Sequence, residues 1–355
     1  MTCKTSAEFK IEYRQILDHQ GQLVDTLPQF ATAPPELIRM YKHMALVRCF
    51  DAKAVSLQRT GKLGTYPSTL GQEAIGTASA AAMHADDILV PYYRDNATAI
   101  WRGVKPEEIL LYWGGNELGS KYSDPRVQED FPICVPISSQ TLHAVGIGLA
   151  LKLRKQKRAV LVSLGDGATS RGDFYEAINF AGVQKLPVVF VINNNQWAIS
   201  VPLRLQTAAK TLAQKGIAAA VHSEQVDGND VIVLRQQISL ALQRAYDEQT
   251  PSIIEAITYR MCDHTTADDA RRYRDEAEVT QERQYDPITR LQRYLEAKQL
   301  WSAQQEQQLQ QELSTQIEQV VANYLAAPKQ VATSMFDYLY AELPISLTAQ
   351  RAMVE

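Results

Sequence analysis

Asp166 and Asn195 carry oxygen atoms of the kind a hard divalent cation takes, and each stands just past an apolar run that ends in a turn. Magnesium prefers octahedral oxygen coordination and is commonly held by one or two carboxylates together with substrate phosphates and water. Gly165 and Gly167 flank the aspartate and let the backbone approach a diphosphate, and amides at the start of a following helix favour an anion. The residues therefore read as a magnesium-held diphosphate site, with an ordinary α/β turn of polar tip as the alternative. Arg94 follows the apolar run Ile88–Val90, where its planar fork can reach diphosphate oxygens unless it is spent in a surface ion pair. His264 lies in a loop crowded by Asp263, Thr265, Thr266, Asp268, Asp269 and three arginines. An imidazole there suits proton transfer near neutral pH, against the alternative of a solvated loop histidine. His19, His43, His84 and His143 read as structural.

Parallel strands must bring these residues together. The runs 159–164 and 188–192 are short and rich in branched residues, which predicts two buried strands. Between them, Phe174, Ala177, Ile178, Ala181 and Gly182 keep helical spacing over 171–185, and Pro187 ends that phase. Two strands joined by one helix form a right-handed parallel unit, so both point the same way. Their carboxyl ends, where open α/β sheets bind ligands at a switch point, then carry Asp166 and Asn195.

The stretch Gly165-Asp-Gly, the interval and Asn193-Asn-Asn195 resemble the cofactor motif of the thiamine-diphosphate enzymes. Within that group the chain is most similar to the α subunits of 2-oxo acid dehydrogenase E1 components. The similarity is carried by 165–181, by Leu70-Gly-Gln-Glu-Ala74, by Tyr93-Arg-Asp95 and by Asp263-His-Thr-Thr-Ala-Asp-Asp269, and it extends over roughly residues 10–345. It implies an α/β fold with a parallel sheet flanked by helices, and thiamine diphosphate with Mg2+ as cofactors. It also implies that Asp166, Asn195 and the Trp197 carbonyl hold the metal, and that Tyr93, Arg94, Gly167, Ala168 and Arg260 hold the diphosphate. Ile137 would pack against the cofactor, although Val135 and Ser138 stand where relatives often carry glycines. His264 would be the catalytic residue, assisting acyl transfer to a lipoyl group. Thr265 occupies the place of a regulatory phosphorylated serine in mitochondrial relatives; that regulation is not expected here, and the loop reads as a substrate-gated lid.

The same resemblance implies an E1 β subunit as partner in an α2β2 heterotetramer, because the glutamate needed against the cofactor's reactive ring belongs to that subunit in the family. A lipoylated E2 acyltransferase would follow. Residues 56–64 and 206–215 look most like bacterial pyruvate dehydrogenase α subunits, whereas Ala267-Asp-Asp269 also occurs in branched-chain enzymes, so pyruvate is the favoured substrate and a branched 2-oxo acid the alternative.

The 355 residues are 45% hydrophobic and 21% charged, enough for a large buried core. A net charge of -4 without a basic stripe argues against nucleic acid. No apolar run reaches the length of a membrane span, and the four cysteines lack zinc or disulfide spacing, which points to a cytoplasmic setting. Three regions are expected: an extended N-terminal arm over 1–35, reaching towards a neighbour with a turn at 18–21; the cofactor-binding α/β domain over 36–285; and a helical segment over 286–355. Helices should begin at Pro35, after Asp286 and after Ser302, the last running through the glutamine-rich stretch 304–311. Two other function classes stay open: a metal-dependent phosphate-ester hydrolase, which should show a denser carboxylate cluster, and a non-catalytic scaffold subunit.

Overall fold

Alternation of apolar side chains along the strands builds a sheet buried on both faces. In the computed structural model, which describes residues 2–337 and 339–355, the strands are β1 (Tyr13–Arg14), β2 (Ile88–Val90), β3 (Val160–Gly165), β4 (Val188–Asn194), β5 (Trp197–Ala198), β6 (Val201–Pro202), β7 (His222–Asp227) and β8 (Ser252–Ile257). Six of them form one sheet in the order β1-β7-β8-β4-β3-β2, with all pairings parallel; β5 and β6 make a separate antiparallel hairpin. Leu161, Val189, Val191 and Ile254 face one layer with Met40, Met44, Ile238 and Leu242. Val160, Val162, Val188, Phe190 and Ile192 face the other, with Ala144, Phe174 and Ile178. Each such side chain contributes roughly 1.5–3 kcal/mol by leaving water, so the sheet is a stiff platform for whatever stands at its edge.

The crossover helices Gly172–Gln184 and Val231–Glu248 lie on opposite faces of this sheet. They carry the chain across it in opposite directions, so β4 and β8 flank the point where the connectivity reverses. The helix expected over 171–185 forms as Gly172–Gln184. Asp166–Ser170 first make a 3-10 turn closed by Thr169 Oγ1 on the Asp166 carbonyl at 2.7 Å. Only then does the α-helix begin, at Gly172.

The remaining helices follow their local signals. Pro34–Arg59 opens on two prolines, and Pro287–Ala297 is capped by Asp286, whose carboxylate accepts from Thr289 N at 2.9 Å. Ala303–Ala326 opens on a capping box of Ser302 and Gln305 and buries Leu309, Leu313, Ile317 and Val320, so the glutamine-rich stretch is packed helix. Among the described residues no helix is long and apolar enough to cross a membrane.

From Tyr13 the N-terminal arm packs on its own chain, while residues 2–10 are exposed. β1 adds to the sheet edge beside β7, the turn at 18–21 closes through Gly21 N on Asp18 O at 3.0 Å, and Ile16 and Leu17 are buried. Gly21 has φ +79, and a Cβ there would meet Arg290 O at 2.9 Å, so the turn lies directly on the helix 287–297. The clamp is Asp230, whose Oδ2 accepts from both Ile16 N and Leu17 N at 2.7 Å while Oδ1 caps the helix 231–248 through Ile232 N at 3.0 Å. Replacing Asp230 with Ala leaves two buried amides and a helix start without acceptors. The expected cost is about 2–4 kcal/mol, read as a lower urea midpoint with the slope unchanged.

Candidate cofactor-binding site

Parallel pairing sets Gly165 opposite Asn193 in β4, and Asn194 opposite Ile257 in β8. Four neighbouring strands, β2, β3, β4 and β8, therefore release their chains on the same side, delivering Tyr92–Arg94, Gly165–Ala168, Asn193–Trp197 and Thr258–His264. A pocket opens there, lined by Tyr93, Arg94, Ile137, Asp166, Gly167, Ala168, Asn195, Trp197 and His264, with Tyr92, Gln140 and Ile199 among others. Of the residues singled out in the sequence only Arg260 does not line it; Arg260 stands directly behind, donating to Trp197 O at 3.4 Å and Ile199 O at 2.7 Å.

Asp166 is almost wholly buried, and burial raises its pKa, opposed by a hydrogen bond from Gln206 Nε2 to Oδ2 at 2.7 Å. Asn195 is held by its own turn: Oδ1 accepts from Trp197 N at 3.2 Å, and Nδ2 donates to Gln72 Oε1 at 3.1 Å. Gly167 answers a different demand from the one its position suggests. A Cβ at Gly167 would meet Ala198 Cβ at 2.7 Å, so the glycine lets the Asp166 turn seat against the β5–β6 hairpin.

Two guanidiniums meet at His264. Arg94 Nη1 donates to Ser68 O at 2.5 Å and Nη2 to His264 O at 3.0 Å, and the group lies over the Tyr93 ring at 5.4 Å. Arg260 Nη2 donates to Tyr273 Oη at 2.8 Å. Both arginines also approach His264 Nδ1, at 3.3 and 3.4 Å. Guanidinium nitrogens only donate, so Nδ1 accepts and the proton of the neutral ring sits on Nε2. Burial, reinforced by the Arg94 and Arg260 charges, pushes the His264 pKa down to about 3. The loop around it is pinned by His264 N on Asp268 Oδ2 at 2.9 Å, Thr266 N on Tyr66 O at 2.9 Å and Arg274 Nη2 on Cys262 O at 3.0 Å.

The buried orphans of this region state what would complete it. Arg94 Nε, Arg260 Nε and Gln72 Nε2 are donors without a partner among the described residues. Two clustered cations with spare donors fit an anion such as a diphosphate, and the oxygens of Asp166, Asn195 and Trp197 fit a hard cation beside it. Val135 and Ile137 are half exposed at the rim and offer an apolar surface. Ser138 has φ 73, the left-handed conformation that a glycine adopts freely, so a serine holds here a backbone shape that favours glycine. Gln72, Gln140, Tyr92 and Gln206 were not reached by sequence reasoning. Gln72 lay within the quoted motif 70–74, but no spacing rule assigns it to Asn195.

Comparison with known proteins gives one consistent result. The profile of the family described as "Dehydrogenase E1 component" matches residues 41–332. The chain is 36% identical over 342 residues to "Pyruvate dehydrogenase E1 component subunit alpha" of Bacillus cereus, covering 96% of this chain and 92% of that protein. Proteins of the same description from Staphylococcus epidermidis and Staphylococcus aureus are 37% identical over 344 residues, again with 96% and 92% covered.

His264 should stay neutral in the ligand-free protein down to about pH 3. The unfolded histidine protonates near pH 6.5, so between those values the unfolded chain binds the extra proton and stability falls as pH drops; buried His43, pushed down to about 4, adds to the same slope. Histidine NMR titration should show Arg94→Gln moving the His264 pKa up towards 6.5.

Proposed function

The chain belongs to the Dehydrogenase E1 component family, and on that premise we propose that it is the α subunit of a pyruvate-decarboxylating E1 component, binding the diphosphate end of thiamine diphosphate. The observation that carries this reading is one pocket at the carboxyl ends of parallel strands that holds the buried Arg94 guanidinium and a hard-oxygen set, with the buried Arg260 guanidinium bonded to its lining residues Trp197 and Ile199. Bound thiamine diphosphate supplies the electron sink that lets a 2-oxo acid lose carbon dioxide.

Asp166, Asn195 and the Trp197 carbonyl hold Mg2+. Arg94, Tyr93 and Arg260 orient the diphosphate, and Gly167 and Ala168 present backbone to it. Ile137 packs on the organic part of the cofactor and keeps water from it. His264, held with its proton on Nε2, would present that N–H to the pocket as a hydrogen-bond donor during acyl transfer. An anion seated between the two guanidiniums offsets their charge and raises the His264 pKa from its ligand-free value.

Asp166 is the only carboxylate lining the pocket among the described residues. The lining offers no second acid among the described residues to work against the reactive ring, which supports an E1 β partner supplying a glutamate across an α2β2 interface, with a lipoylated E2 acyltransferase receiving the acyl group. The same count speaks against a phosphate-ester hydrolase, which needs a denser carboxylate cluster. A scaffold would gain nothing from burying unsatisfied guanidinium nitrogens. Four unpaired cysteines suit a reducing, cytoplasmic setting.

The purified chain should not decarboxylate pyruvate alone and should do so with its β partner. Thiamine diphosphate and Mg2+ should raise the melting temperature of the reconstituted protein, and Asp166→Ala should abolish that shift. Turnover of pyruvate should exceed that of 3-methyl-2-oxobutanoate; the reverse order selects the branched-chain alternative. Decarboxylation by the isolated chain, or the absence of any cofactor-dependent shift, defeats the proposal.

A further inference from the structure

Residues 203–219 lie behind the Asp166 turn and reach it twice. Gln206 Nε2 donates to Asp166 Oδ2 at 2.7 Å and to Val201 O at 3.1 Å. Both amide protons thus have acceptors, and reversing the amide would set its oxygen against a carboxylate and a carbonyl. The orientation is therefore determined, and the Oδ2 oxygen of Asp166, a residue that lines the pocket, is tied by this amide. Lys215, only 7% exposed, supports the same turn from below. Its Nζ donates to Thr169 O at 2.8 Å and Thr169 Oγ1 at 2.9 Å, and that hydroxyl donates in turn to Asp166 O. Neither Gln206 nor Lys215 lines the pocket, so each acts through Asp166.

We infer that Gln206 and Lys215 are positioning residues that set the grip of Asp166 on the divalent cation, and so govern retention of the metal and diphosphate rather than turnover once both are bound. The inference rests on the proposed metal role of Asp166. Partners that orient a metal ligand from behind typically contribute 10–100-fold in metal affinity.

The test uses the full chain with its β partner and thiamine diphosphate, with Mn2+ titrated in place of Mg2+ and free Mn2+ followed by electron paramagnetic resonance. Gln206→Leu and Lys215→Met should each raise the half-saturating Mn2+ concentration about 10–100-fold, with kcat at saturating Mn2+ within about twofold of wild type on the same basis. Lys215→Arg should recover part of the affinity. Circular dichroism melting without cofactor checks folding, and if one variant does not fold the other decides. Folded variants that bind Mn2+ as wild type does, or that lose kcat at unchanged half-saturation, overturn the inference. Failure of the wild-type complex to bind Mn2+ at all would instead overturn the proposed function.

Discussion

Gly165 pairs with Asn193, and Asn194 with Ile257, across three parallel strands whose side chains are buried on both faces. A slip of one residue in either pairing would turn every apolar side chain of a strand to the wrong layer, so the register is held by the whole core. Because the strands run parallel, their ends emerge side by side on one edge. The oxygens of Asp166 and Asn195 and the arginines that follow β2 and β8 are brought to one edge by that register, and local contacts then fix them.

What stands at that edge is not arranged for the stability of the empty protein. Two guanidiniums converge on one imidazole nitrogen, and several buried donors lack partners among the described residues. Clustered buried cations are costly unless an anion joins them, so the fold carries this cost at the site and compensates through the sheet and its helices. On the proposed reading, a diphosphate with its cation would convert the same feature from a liability into affinity. His264 reports the balance, because its neutrality in the ligand-free chain is imposed by burial and then by the two arginines.

The supporting parts work at a distance from the pocket. Asp230 ties the N-terminal arm and a crossover helix with a single carboxylate. The helices at 287–297 and 303–326 pack Leu291, Leu295, Leu309 and Leu313 into the same core layer as Met40 and Met44. Gln206 and Lys215, neither of which lines the pocket, bond the Asp166 turn. Asp230 satisfies several backbone amides at once, and Gln206 and Lys215 each join a backbone carbonyl to a side chain, which defines the loops they hold.

The sequence by itself determined the local elements and the chemistry. Apolar periodicity and capping residues mark β3, β4, the intervening helix and the helices after Asp286 and Ser302, because these signals act over a few residues and need no tertiary partner. Asp166 and Asn195 were marked by residue type and position after a strand, whereas Arg94 and His264 were carried by the family resemblance of the motifs around them. Tertiary structure alone decided which other groups serve them. That Gln72 holds Asn195, that Gln206 fixes Asp166, that Gly167 makes room for Ala198, and that the N-terminal arm returns to its own chain through Asp230 are contacts between segments far apart in sequence. Long-range packing sets such pairs, and it leaves no period in the chain from which they can be read.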